Sequence, residues 1–147
     1  MTRLDNSIDI AAPRDKVFQY VADVTARSEW AKWVKRAEVT SLEREGVGAT
    51  DAMTMQFGPT KEKVEAIVTE YKKDQVITRR HTRGMEATDR VAVVTVPEGT
   101  KVAWSFEYTP PMGAMGKLID MAFMVRLMEQ LMDDSLQILK ERLESGR

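Results

Sequence analysis

MGKLIDMAFMVRLMEQLMDDSLQILKERL, residues 115–143, is the stretch whose reading decides the fold. Stepped at about 100° per residue, Leu118, Met121, Val125, Met128, Met132, Leu136, Leu139 and Leu143 form one apolar stripe. Arg126, Glu129, Asp133, Lys140 and Glu144 lie opposite it. At 1.5 Å per residue the helix is a rod of roughly 40 Å, long enough to cross a small domain. Its two halves differ. In the first, Ile119, Ala122, Phe123, Met124 and Leu127 carry apolar surface nearly all the way round, whereas beyond Met132 the helix has two distinct faces. An end that is apolar on every side is buried, or borders something apolar that the sequence does not supply. Met112, Met115, Met121, Met124, Met128 and Met132, six of the ten methionines, fall in and just before this stretch. Methionine is flexible and polarisable and fits surfaces of more than one shape. Ordinary core packing satisfies the periodicity; a ligand-facing role for Met121, Met124 and Met128 is the sharper reading.

Upstream, Thr100–Thr109 alternates Val102, Trp104, Phe106 and Tyr108 with Ala103, Ser105 and Glu107, which predicts a strand with its large side chains turned inward. Pro110-Pro111-Met112-Gly113-Ala114-Met115-Gly116 joins strand and helix, either as a plain turn or as a hinge that opens the helix start over a cavity mouth. Further strands are expected at Ala87–Val96, Gln75–Thr82, around Val64, Ala66 and Val68, at Ala49–Phe57 and at Glu38–Arg44. Met53, Met55 and Phe57 share one face of theirs. Glu98-Gly99, Lys72-Lys73-Asp74 and Gly58-Pro59 mark tight turns, and short strands joined in this way make an antiparallel sheet. At the start of the chain, Ser7–Ala11 alternates as another strand. Residues 13–24 form a short helix on Val17, Phe18, Val21 and Val24, with Pro13 in its first turn. Thr25 caps a second short helix with Trp30, Trp33 and Val34 on one side, packed against the sheet.

The order is strand, two short helices, six strands, long helix. It predicts a single α+β domain over 1–147, in which a seven-stranded antiparallel sheet wraps round the long helix. A bent sheet and one rod leave a space between them, to be filled by large side chains or kept as a cavity.

Composition narrows the function. Apolar content of 43% and charged content of 31% are ordinary for a globular domain. A net charge of −1 gives no global attraction for nucleic acid or an anionic membrane. The chain has no cysteine and one histidine, His81, which excludes thiolate chemistry and clustered Cys or His metal sites; no metal and no cofactor are implied. No apolar core follows a basic start, so no signal peptide is expected. The longest apolar run, Met121–Val125, is far too short to span a bilayer, and a cytoplasmic location follows as the expectation. Asp133, Asp134, Glu141 and Glu144 read as a solvated helix face.

Arg79-Arg80-His81-Thr82-Arg83 is the dense basic run, and without interleaved aromatics it reads as a solvated edge rather than a nucleic-acid site. Strand alternation nevertheless groups Ile77, Arg79, His81 and Arg83 on one face and Val76, Thr78, Arg80 and Thr82 on the other. Either choice turns an arginine inward, and a buried guanidinium must be paired. Glu65 or Asp89 could pair it, it could escape to a cavity mouth, or Arg79 or Arg80 could receive a ligand's carboxylate or enolate.

Ser7-Ile-Asp-Ile-Ala-Ala-Pro13, followed by Val17-Phe18, Tyr20-Val21-Ala22-Asp23 and Trp30, resembles the opening of the START/SRPBCC superfamily. Gly99-Thr100-Lys-Val102-Ala-Trp104 before Tyr108-Thr-Pro110 and a long helix resembles its closing segment, in the polyketide cyclase/dehydrase-like branch. The resemblance covers essentially the whole chain and implies the helix-grip fold with a hydrophobic cavity between sheet and helix. No position matches a cyclase's catalytic residues closely enough to be carried over, and the histidines of the metal-bearing oxygenase branch are absent. Fold-level analogy is all that the resemblance supplies for chemistry.

The expectation is therefore a protein that binds a hydrophobic small molecule (lipid, isoprenoid or polyketide-like) in a pocket lined by Met53, Met55, Phe57, Arg79, His81, Trp104, Phe106, Tyr108, Met121, Met124 and Met128. A polyketide cyclase or dehydratase is the enzymatic alternative and needs polar groups from Tyr108, Thr54, Arg79 or His81 converging inside. A third reading makes the Met-rich helix start a docking surface for another protein. The scarcity of acid–base residues favours binding. No nucleic acid and no membrane span are expected, and oligomeric state is left open, a homodimer included.

Overall fold

The computed structural model describes residues 1–109 and 121–145. Its elements are β1 (Thr2–Ile10), α1 (Arg14–Ala22), a 3-10 turn (Val24–Ala26), α2 (Arg27–Trp30), β2 (Val34–Val39), β3 (Thr50–Phe57), β4 (Thr60–Lys72), β5 (Val76–Arg83), β6 (Ala87–Val96), β7 (Gly99–Tyr108) and α3 (Met121–Glu144). All seven strands join one antiparallel sheet in the order β1-β7-β6-β5-β4-β3-β2. This is the α+β helix-grip arrangement.

Alternation sets the inner face. Met53, Met55 and Phe57 of β3, and Val102, Trp104, Phe106 and Tyr108 of β7, are all buried, while Thr54 and Gln56 remain partly exposed on the other side. At the β6–β7 turn, Gly99 has φ +148°, and a Cβ there would stand 2.3 Å from the Ile10 carbonyl oxygen. Only glycine lets this turn pass beside the end of β1.

Several boundaries differ from the sequence reading. β1 begins at Thr2 rather than Ser7, because its ladder with β7 runs unbroken from Thr2↔Tyr108 to Ile10↔Thr100. Backbone pairing, not side-chain alternation, fixes its length. β2 spans Val34–Val39 instead of Glu38–Arg44, as β3 offers partners from Met55 back to Asp51. Asp23, not Thr25, caps the turn after α1: its carboxylate accepts from the Thr25 amide at 3.0 Å and the Thr25 hydroxyl at 2.7 Å.

On α3 the buried positions are Met124, Met128, Met132, Ser135, Leu136 and Leu139, and Met121 is 48% exposed. Ser135 takes an inner place because its hydroxyl donates to the Leu131 carbonyl at 2.6 Å and accepts the Lys32 amide at 2.8 Å. A hydropathy stripe ignores such a bond, so the inner face lies turned from the expected one. Asp133 and Glu144 are not merely solvated. Asp133 receives a hydrogen bond from Asn6, Glu144 accepts from the Ala11 amide, and Lys140 donates to the Asp9 carbonyl at 2.9 Å. Together they fasten α3 along β1. The Pro110–Gly116 hinge, Met112, Met115, Leu118 and Ile119 lie outside the described residues.

Candidate functional site

The interior between α2, the sheet and α3 is aromatic. Trp104 on β7 lies between Trp30 and Trp33, edge-to-face with the first and tilted to the second, with centroids at 5.2 and 5.0 Å. Trp33 continues to Phe57 at 5.7 Å and to Phe106 at 4.9 Å. Phe106 lies 5.6 Å from Tyr108 and 6.2 Å from His81. Trp30 and Trp33, expected to pack the short helices on the sheet, do so by entering this wall. Small residues separate the large ones: Asp51 pairs across β3–β4 with Ala66, Ala66 with His81, and on β6–β7 Ala87 pairs with Tyr108.

β5 turns Ile77, Arg79 and His81 inward and leaves Arg80 exposed. Arg79, 1% exposed, is gripped by Asp51 of β3: Nε donates to Oδ2 at 2.9 Å and Nη2 to Oδ1 at 2.5 Å. Its Nη1 stands 3.8 Å from Asp89 Oδ2, which accepts from Arg27 Nη1 at 2.8 Å. The Arg27 guanidinium in turn lies 5.1 Å over the Trp30 ring, a cation–π contact. Glu65, one of the expected partners, sits on the outer side beside Arg83 at 3.8 Å. Burial opposes charge on Arg79, but Asp51 and then Asp89 outweigh it and hold the guanidinium above its ordinary pKa. Two arginines face two aspartates, so the quartet is formally neutral. Arg79 therefore arrives already paired and is no free anchor for a carboxylate.

His81 Nδ1 lies 2.9 Å from the Met85 carbonyl oxygen. A carbonyl can only accept, so Nδ1 carries the hydrogen and Nε2 keeps a lone pair. Burial pushes the His81 pKa below its ordinary 6.5, the Met85 bond works against this, and Arg79 adds to the depression. The ring is neutral at pH 7. Tyr108 is also buried, which raises its pKa.

Eight buried side-chain atoms in this interior meet no hydrogen-bond partner among the described residues: Arg27 Nε, the Nε1 atoms of Trp30, Trp33 and Trp104, Arg79 Nη1, Tyr108 OH, His81 Nε2 and Asp89 Oδ1. A buried polar atom left unmet costs about 1–3 kcal/mol. The first six can donate; the last two accept. The arrangement suits a guest with an apolar body and several oxygen atoms.

Of the positions predicted to line a pocket, Met53, Met55, Phe57, Arg79, His81, Trp104, Phe106, Tyr108, Met124 and Met128 are buried, and Met121 is turned to solvent. Thr54, offered as a polar group for catalysis, faces the outer side in a cleft of about 450 Å³ with Arg36, Lys63 and Arg83. A cleft of about 530 Å³ near Phe18, Tyr71 and Asp74 lies apart from the aromatic wall. Asp51, Arg27 and the indole N–H groups were missed. Asp51 shares the inner parity of Met53, Met55 and Phe57, so alternation could have found it. Arg27 precedes Trp30 by one helical turn, a weaker signal.

A family model described as polyketide cyclase/dehydrase and lipid transport matches residues 1–144. No curated protein matches the sequence. Among solved structures, a START superfamily protein from Mycobacterium smegmatis superposes with a TM-score of 0.77 at 14% identity, covering 99% of each chain. The Zhui aromatase/cyclase from Streptomyces sp. R1128 gives 0.73 at 16% identity, covering 97% of this chain and 93% of its own. TTHA0849 from Thermus thermophilus gives 0.72 at 20% identity, covering 98% and 97%. At these identities the likeness is one of fold.

Proposed function

The chain belongs to the polyketide cyclase/dehydrase and lipid transport family, and on that premise we propose that it binds a hydrophobic small molecule, of lipid, isoprenoid or polyketide-like kind, between the sheet and α3. The observation that carries this reading is the set of unmet polar atoms inside an aromatic wall. Each unmet buried polar group in a fold calls for an explanation, and a guest with acceptor oxygens supplies one. Met124 and Met128, buried and flexible, supply a wall that can adapt to the guest.

Three tryptophans in the wall give the test. Titration of the folded protein with an apolar dye or a long-chain lipid should change tryptophan emission saturably, and native mass spectrometry should find a retained small molecule. Binding confined to unfolded or aggregated protein would sink the reading.

A catalytic reading is favoured by one feature. Ring closure of a poly-β-carbonyl chain needs a base for the carbon-bound proton and a donor for the developing enolate. The lone pair on His81 Nε2 and the Tyr108 hydroxyl are of those two kinds. Tyr108→Phe and His81→Gln should then abolish turnover of a poly-β-carbonyl substrate while leaving its binding within a few-fold. Equal loss of binding and turnover would assign both residues to ligand contact alone.

A further inference from the structure

We propose that the open edge of β2 is a self-association surface, on which a second copy of this chain adds its own β2 antiparallel across a two-fold axis at Ala37. The sheet has two outer strands, β1 and β2. α3 fastens along the first, where Lys140 donates to the Asp9 carbonyl and Glu144 accepts from the Ala11 amide. The second is bare. The Thr40 amide donates to the Thr50 carbonyl at 2.9 Å, and Glu38 and Arg36 follow in the same register, opposite Ala52 and Thr54. Main-chain groups alternate sides along a strand, so residues 36, 38 and 40 direct theirs to β3 while Ala37 and Val39 point theirs away from it. Among the described residues no loop, helix or side chain gives the Ala37 or Val39 main chain a hydrogen bond.

A bare edge can accept any strand, and the side chains decide which one fits. Arg36 and Glu38 are exposed on the outer face of the sheet, and neither has an ion-pair partner among the described residues. With Ala37 opposite its own copy, the two Ala37 residues exchange N–H and C=O bonds. Arg36 then falls opposite the partner's Glu38, and the symmetry makes this pair twice. These are non-hydrogen-bonded positions, where facing side chains come closest. The neighbouring symmetric registers set Arg36 against Arg36 or Glu38 against Glu38, and like charges so placed repel. Charge therefore selects the register centred on Ala37. The β-bulge between Val34 and Arg36 ends the regular edge, so the shared ladder is short and the association weak. Assembly stops at two copies, because the other edge of each sheet lies under α3.

Sedimentation velocity on the intact chain from about 10 µM to about 1 mM spans the range in which so small a contact associates. The protein should pass reversibly from monomer to dimer and no further. Arg36→Glu and Glu38→Arg each turn both cross-strand pairs into like-charge pairs and should weaken the dimer about tenfold or more. Mixed in equal amounts, those two variants should pair with each other, since each supplies the charges that the other lacks. Ala37→Pro removes the N–H at the axis but none from the β3 ladder, so it should melt near the parent and stay monomeric. Should that variant not fold, the mixture of the two charge variants decides. A parent that stays monomeric at the highest concentration overturns the proposal. So does a dimer that both charge substitutions leave intact, or assembly beyond two copies.

Discussion

Arg79 keeps its proton under all ordinary conditions, so its burial is tolerable only while Asp51 and Asp89 stay ionised beside it. Removing one member should be far worse than removing a matched pair. Arg79→Leu strands Asp51 and should cost about 3–5 kcal/mol in urea unfolding. Asp51→Leu combined with Arg79→Leu should recover most of that loss, because Asp89 still has Arg27. An additive double variant would show that the pair is not coupled. His81 makes a second prediction, in pH. The unfolded chain protonates it near 6.5, whereas the folded protein resists until a lower pH. Between those values the unfolded state holds more protons, so stability should fall as pH drops through about 6.5 and should be undiminished above it. His81→Gln should flatten the change in stability between about pH 7.5 and 5.5. An identical slope in the variant would deny the residue this role.

At the scale of elements, α3 was legible as a long amphipathic helix, but its inner face was not. Hydropathy counts Met121 and Ser135 the wrong way, since a hydroxyl bonded within its own helix can be buried at no loss. The structure makes this checkable. Met121→Asp should change stability by less than about 0.5 kcal/mol, whereas Met124→Asp, three residues on and 1% exposed, should cost several kcal/mol by burying a lone charge. Similar losses at both positions would mean that the helix is rotated back toward the sequence stripe. In the strands, period-2 alternation located the inner faces of β3 and β7 and put one arginine of β5 inside, but could not choose between Arg79 and Arg80 or settle the partner. Asp51 was hidden because alternation was counted only from apolar residues. The β6–β7 turn, read from Glu98-Gly99, carries a firmer constraint than the dipeptide suggested. Gly99→Ala should destabilise by more than about 1 kcal/mol, since alanine is strained at this φ and its Cβ meets the Ile10 carbonyl. A thermal melt unchanged from the parent would contradict the close approach.

For the molecule as a whole, the order of elements was enough to give sheet, helix and their wrapping. What it could not give was any contact made across the interior by a side chain of one element with a distant one. Arg27 meets Asp89, and Asn6 meets Asp133, for reasons that exist only once the sheet has curled. The quartet, the idle indole N–H groups and the clasp between β1 and α3 all belong to that class. The clasp also has a bearing on how the chain is made. β1 leaves the ribosome before any other strand, yet its single neighbour in the sheet is β7, and its other fastening is α3. The nascent β1 must therefore wait, with Leu4, Ile8 and Ile10 uncovered, while nearly the whole chain is synthesised. Such distant pairing slows folding toward milliseconds to seconds. During translation the exposed strand is a segment that a chaperone would meet.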